Sequence, residues 1–278
     1  DMRYTVSELQ EKADEIREEI IKMLVNVGSG HTGGALGAAD FWTALYLGGL
    51  VRVDPNNPWD EERDRVVLSA GHYCPAQYAV LAEMGFFEKK ELMSLRQINS
   101  RLQGHPVVRC LPGIENTSGP LGQGISQAVG MAIVGKRERK QWRVVCFMGD
   151  GEQQEGQVWE AYMLANKEKL ANLTVVIDRN NMQIDGRTEE VMPLEPLRTK
   201  LEAFGMEVFE VDGHNIGSIM EVFAKVRMVY ERPSVILLHT IPGKGVGFME
   251  GLVEWHGKAP SAAEAVEALS ELGKTKDD

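Results

Sequence analysis

Two short stretches of the chain carry residue types suited to gripping a charged ligand. In VVCFMGDGEQQEG (144–156) an apolar run ends in Gly149-Asp150-Gly151, and in LTVVIDRNNMQIDG (173–186) a second run ends in Asp178-Arg179-Asn180-Asn181. A carboxylate and an amide oxygen are hard ligands of the kind magnesium accepts, and magnesium keeps positions for phosphate oxygens and water. The glycines flanking Asp150 would let backbone approach a diphosphate closely. Either of two adjacent residues, Asn180 or Asn181, could supply the amide oxygen. Taken alone Gly-Asp-Gly is an ordinary turn; the second run ending in asparagine turns the reading toward a metal. The histidines add to this. There are six, and His31, His72, His105 and His214 directly follow a glycine while His256 precedes one. Imidazoles on glycine-rich loops can meet at one edge of a fold, and an unperturbed pKa of ~6.5 lets them give and take protons near neutrality. His239 lies inside the apolar run VILLHT and reads as a core residue.

These residues must be positioned by regular elements. A first helix is expected from the apolar stripe Leu9, Ala13, Ile16, Ile20, Met23, Leu24 and Val27, with Ser7 and Gln10 at capping-box spacing and Gly28 as its stop. A glycine-rich stretch (28–40), a second helix near 38–48 and a Pro/Asn turn (53–60) follow, then a short apolar run into Ser69-Ala70-Gly71-His72. Val- and Ile-rich runs at 143–148, 173–177, 206–211 and 234–239 alternate with helical patterns at 123–138, 156–169, 193–204 and 216–230. Such alternation predicts an α/β fold, an open parallel sheet with helices on both faces. A strand–helix–strand crossover points both strands the same way, so Asp150 and Asn180 should share the carboxyl edge where open α/β sheets bind ligands. Gly119-Pro120-Leu121-Gly122-Gln123 fits close backbone approach to a ligand, and equally a helix entry. No repeat or linker stands out, so residues 1–278 read as a single domain.

Composition narrows the function classes. Hydrophobic residues at 43% and charged residues at 26% are ordinary for a globular protein. A formal charge of -11 argues against nucleic acid and anionic membrane surfaces. Cys74, Cys110 and Cys146 lie far apart with no CxxC pair, which reads as reduced thiols in a cytoplasmic protein. The longest apolar runs are strand-sized, and the charged N-terminus is unlike a signal peptide.

GDG followed at this distance by Asn is similar to the thiamine-diphosphate motif, and GDGEQQEG…IDRNNMQIDG resembles its transketolase version. Other segments agree in order: SGHTGGALGAAD (29–40), with Thr32 where proline is usual; SAGHYCPAQYAVL (69–81); GHPVV (104–108), with Val107 for the usual acid; NTSGPLGQGISQAVGMAIVGK (116–136); and EWHGKAP (254–260). The resemblance implies the diphosphate domain of the thiamine-diphosphate-binding fold. It implies Mg2+, or another divalent cation such as Ca2+, on Asp150, Asn180 and the backbone carbonyl of Met182. By the same likeness Gly149, Gly151, His72 and His256 approach the diphosphate, and backbone at Gly119 and Leu121 touches the aminopyrimidine. His31, His105 and His256 would surround a donor ketose, and Glu155 would sit at an interface between active sites, its plainer role being a helix N-terminal acid. Lys244 in TIPGKGVGF aligns with a family loop near the diphosphate or is a solvated loop lysine; His214 matches a family segment without a catalytic role being expected of it.

The resemblance runs from about residue 7 to 260, and full-length transketolases continue into a pyrimidine domain and a C-terminal domain. The family activates its cofactor through a glutamate of that pyrimidine domain, for which this sequence offers no candidate, and it lacks an Arg cluster for sugar phosphates. The implied activity is transfer of a two-carbon ketol unit between ketose phosphate and aldose phosphate in sugar rearrangements of the pentose phosphate type. The implied partner is a C-terminal subunit, in an α2β2 heterotetramer, unless the sequence is part of a longer chain. The alternatives are a 1-deoxyxylulose-5-phosphate synthase-like enzyme, disfavoured by GPLGQG and WHGKAP, and a non-catalytic cofactor-binding subunit, disfavoured by the intact histidines.

Overall fold

The computed structural model describes residues 4–274. Helix α1 (Val6–Val27) is followed by a short α2 (Gly33–Gly37), α3 (Ala39–Tyr46), strand β1 (Arg65–Leu68) and α4 (Cys74–Met84). Next come α5 (Gln123–Arg137), β2 (Val144–Gly149), α6 (Gly156–Lys167) and β3 (Leu173–Arg179). A hairpin of two-residue strands, β4 (Met182–Gln183) and β5 (Gly186–Arg187), leads through α7 (Thr188–Val191) to α8 (Leu197–Ala203) and β6 (Glu207–Asp212). Then α9 (Ile216–Val226), β7 (Ser234–His239) and α10 (Ala262–Lys274) complete the described chain. Among the described residues no helix is long and apolar enough to cross a membrane.

Among these residues five strands form one parallel sheet in the order β1-β2-β3-β7-β6, so the expected open parallel sheet is present. Right-handed crossovers dictate which face each helix takes. Stepping from β1 to β2 to β3 places α5 and α6 on one face, while stepping back from β6 to β7 places α9 on the other. The two apolar cores follow that division. Ile125, Val129, Val158 and Tyr162 pack with Val144, Cys146, Val175 and Ile177 on one side. Leu9, Ile20, Phe41, Tyr78 and Phe223 pack with Val145, Phe147, Val176 and Ile236 on the other. Successive strand residues therefore face different cores, which is why these runs are apolar throughout rather than alternating.

Four details depart from the sequence expectation. The capping box of α1 uses Thr5 and Glu8, two residues earlier than Ser7 and Gln10: the Glu8 carboxylate accepts the Thr5 backbone N–H at 2.6 Å, and Gln10 bonds Asp40 at 2.8 Å instead. The glycine-rich stretch is helical over 33–37, and its glycines let this turn pack where side chains would clash. A Cβ on Gly34 would lie 2.8 Å from the Tyr73 ring, and one on Gly37 2.9 Å from the Ile241 carbonyl. Helix α8 begins at Leu197 rather than near 193, since proline at 196 suits a helix entrance and not an interior. His239 is not a core residue: it ends β7 where the covering helices have stopped, is exposed, and bonds Glu210 at 2.8 Å.

One buried polar node fastens the layer in front of the sheet. Arg17 of α1, 2% exposed, reaches Asp40 of α3, which is fully buried and also accepts from Gln10 and from His214 Nδ1 at 2.8 Å. His214 Nε2 accepts the Ile241 backbone N–H at 2.8 Å, so its proton sits on Nδ1 and the ring is a strut between two loops. Removing one member of a buried pair strands the other charge. Asp40→Leu should lower unfolding free energy by about 3–5 kcal/mol in urea titrations. Adding Arg17→Met should restore much of it, and a double variant as unstable as the single one would contradict the pairing.

Candidate active site at the carboxyl edge of the sheet

The order β3-β7-β6 reverses the direction of strand addition, and a cleft opens at the carboxyl ends beside that reversal. Its volume is about 340 Å³, and its lining includes His31, His72, His105, His256, Asp150 and Met182. Gly119, Leu121, Gly149, Gly151 and Glu155 border the same space.

Sheet register sets the acidic end. Gly149 pairs with Asp178, so the next residues, Asp150 and Arg179, lie side by side. Asp150 is 1% exposed; its Oδ2 accepts from Arg179 at 2.9 Å and from the Asn181 backbone N–H at 2.7 Å, and its Oδ1 accepts from Gly151 N–H at 2.7 Å. Burial pushes its pKa up, against the pull of Arg179 and the two backbone donors. A carboxylate has about four acceptor positions, so Oδ1 retains capacity toward the cleft. Asn180 is buried directly behind, with Oδ1 accepting from Met182 N–H at 2.9 Å, while Met182 itself lines the cleft. Asn181 is exposed, at φ 61°, and contributes its backbone N–H to Asp150 rather than its side chain. Among the described residues no three His, Cys, Asp or Glu side chains form a metal-binding group. A cation here would therefore rest on one carboxylate and neutral oxygens, with remaining positions filled by ligand oxygens and water, which is magnesium's preference.

The histidines form the other wall. The ring centroids of His31, His72 and His256 lie 5.0, 5.5 and 5.8 Å apart pairwise. His105 stands beside them: a Cβ on Gly71 would meet its Cδ2 at 3.0 Å and Ser118 Oγ at 2.6 Å, so only glycine fits at position 71. Burial, reinforced by His256, Arg96 and His105, pushes His31 down to about 4. Burial lowers His72 strongly, with the neighbouring imidazoles adding to it, and lowers His105 and His256 as well. All four are therefore neutral at pH 7. His31 Nδ1 is buried without a hydrogen-bond partner, an atom that a ligand in the cleft would satisfy.

Three residues central to this geometry escaped the reading of the sequence. Glu152, 2% exposed, bonds Ser69 and accepts from Gly122 N–H at 2.7 Å and Gly149 N–H at 3.1 Å, tying β1, the start of α5 and β2 together. Arg179 answers Asp150 as well as Glu189 and Glu195. Tyr73 lines the cleft with its hydroxyl 2.5 Å from Asp178. A further charged residue directly after each apolar run, Glu152 in GDGE and Arg179 in IDRN, was the available signal for two of them. Of the residues expected at the site, Lys244 does not line the cleft; it lies in its own loop, 3.5 Å from Glu250. Glu155 is exposed at the N-cap of α6 on the cleft rim. His214 is the strut described above.

Comparison with known proteins decides the family. Residues 9–277 match the family model described as transketolase, thiamine diphosphate binding domain. The chain belongs to the transketolase family. Transketolase relatives share its full extent or exceed it. It is 39% identical over 269 residues to a protein of Phocaeicola vulgatus named as a subunit of apulose-4-phosphate transketolase, covering 97% of this chain and 95% of that one. It is 42% identical to the 6-deoxy-6-sulfo-D-fructose transketolase subunit SqwG of a Clostridium species, covering 96% and 97%. The crystal structure of transketolase from Campylobacter jejuni superposes with a TM-score of 0.91 at 32% identity, covering 97% of this chain and 43% of that one. The chain thus spans about two-fifths of the length of that solved transketolase and nearly all of the two curated subunits.

The neutral histidines make stability depend on pH. The unfolded chain protonates His31 near 6.5, whereas the folded one resists until about 4. Between those values the unfolded state binds more protons, so stability falls as pH is lowered from 6.5 toward 4. His31→Gln removes that share, and its melting temperature should decline less steeply than wild type over the same window. Parallel melting curves would refute a buried neutral His31.

Proposed function

We propose that this chain holds the diphosphate half of thiamine diphosphate, together with Mg2+, in a two-subunit transketolase. In it a two-carbon ketol unit passes from a ketose phosphate to an aldose phosphate. The observation that carries the reading is the meeting of His31, His72 and His256 with Asp150 and Met182 in one cleft at the switch edge of the sheet. When bound, thiamine diphosphate supplies a carbon nucleophile and an electron sink for the two-carbon fragment.

The chain's own residues have separable tasks. Asp150, the Asn180 amide oxygen and the Met182 carbonyl would hold the cation. Gly149 and Gly151, together with His72 and His256, would take the diphosphate; a Cβ on Gly149 meets nothing within 4 Å, so that side of the cleft is open to a ligand. Backbone at Gly119 and Leu121 would face the aminopyrimidine. Neutral imidazoles at His31, His105 and His256 accept hydrogen bonds from sugar hydroxyls and can take their protons at pH 7. Glu155 on the rim would meet a neighbouring subunit. The full-length likeness to two proteins named as transketolase subunits supports a partner polypeptide; it would carry the pyrimidine-binding and C-terminal domains, in an assembly of two copies of each.

Reconstitution tests this. The chain mixed with that partner, thiamine diphosphate and Mg2+ should convert xylulose 5-phosphate plus ribose 5-phosphate, and should not condense pyruvate with glyceraldehyde 3-phosphate. Asp150→Asn should raise the Mg2+ requirement by at least about 100-fold. His105→Ala should lower kcat by about 10²–10⁴. Full activity in Asp150→Asn at limiting Mg2+, or activity with pyruvate alone, would overturn the proposal.

A further inference from the structure

The carboxylate of Asp178 and the hydroxyl of Tyr73 form a buried network that ends on Asn180. Asn180 Nδ2 donates to Tyr73 Oη at 2.9 Å and to Asp178 Oδ2 at 3.0 Å. Tyr73 Oη lies 2.5 Å from the same Asp178 oxygen, and Thr240 Oγ1 donates to the other. Asp178 is fully buried and Tyr73 is 1% exposed.

We propose that Tyr73 and Asp178 are positioning residues that decide which face of the Asn180 amide is offered to the cation. The proposal rests on the metal reading of Asp150 and Asn180. An asparagine amide has an oxygen and an NH2 of nearly equal size at its two ends, and only the oxygen can ligate a cation. A carboxylate only accepts, so the hydroxyl proton of Tyr73 points to Asp178 and its lone pairs face Asn180. The Asn180 NH2 is thereby held on the side of these two acceptors. Oδ1 is left on the opposite side, where it accepts from Met182 N–H at 2.9 Å, adjacent to Asn181, whose N–H bonds Asp150. Turning the amide over would set Oδ1 against the carboxylate oxygen and the Tyr73 lone pairs, and would leave the Met182 N–H facing an NH2. The donor in this network is itself held by packing. The Tyr73 ring sits 4.7 Å from His72 and 5.1 Å from Phe147, and it occupies the space a Cβ on Gly34 would need. Groups that orient a ligand without touching the metal commonly change affinity by about 10–100-fold when lost.

The test is uptake of Mn2+, followed by electron paramagnetic resonance, by the full chain in saturating thiamine diphosphate. Tyr73→Phe keeps the ring and loses only the hydroxyl, and should weaken Mn2+ binding by about 10-fold. Asp178→Asn should weaken it by up to about 100-fold. Melting curves accompany each titration, because a purely structural role would lower stability and leave the dissociation constant where it was. A folded Tyr73→Phe protein that binds Mn2+ as tightly as wild type overturns the inference, and it remains decisive if Asp178→Asn does not fold. Wild-type chain that takes up no Mn2+ with thiamine diphosphate overturns the metal reading itself, and the inference with it.

Discussion

The parallel pairing of β2 with β3, in the register that sets Gly149 against Asp178, is the constraint on which the site depends. Two strands running the same way end at the same edge, and their last residues are neighbours. Asp150 follows Gly149 into a loop where it collects backbone N–H groups from Gly151 and Asn181 and the guanidinium of Arg179. A slip of one residue would exchange the faces of every side chain on one strand relative to the other and take Asp150 away from Arg179. Burial on both faces makes that slip costly, since every residue of β2 and β3 is buried.

Close packing of side-chain-free backbone does the second part of the work. Gly34 admits the Tyr73 ring, and Gly71 leaves room for His105 and Ser118. A Cβ on Gly124 would fall 2.5 Å from Ser69, and one on Gly33 would come within 3.1 Å of the Trp255 carbonyl. These contacts draw the segments after α1, after β1, before α5 and around Trp255 onto the sheet edge, which is how histidines from four separate stretches reach one space. Desolvation then keeps their imidazoles neutral, a state compatible with accepting protons from hydroxyl groups and with standing close together.

Charge is arranged with the same economy. Arg179 serves Asp150, Glu189 and Glu195 at once, so the loop carrying α7 is tied to the acidic end of the cleft. Arg17, Asp40 and His214 tie α1, α3 and the loops after β6 and β7 together. A chain carrying a net charge of -11 thus places its buried cations where they organise loops rather than on a general binding surface.

The alternation of apolar runs with helical stripes was enough to determine the α/β class, because strands buried on both faces leave no polar period in the sequence. Spacing between Asp150 and Asn180 was enough to put both at one edge, because a right-handed crossover leaves no other place for them. Adjacency to glycine marked all four of the cleft's histidines for a similarly local reason, that a loop approaching other backbone closely tends to lack side chains. The roles of Glu152, Tyr73 and Arg179 were decided only by the tertiary structure, as were the surface position of His239, the structural duty of His214 and the placement of Lys244 beside Glu250. Most of these depend on partners far away in sequence, as far as 174 residues for His214 and Asp40. Hydrogen bonds of that kind come from how elements pack, and periodicity carries information only about the element in which a residue lies.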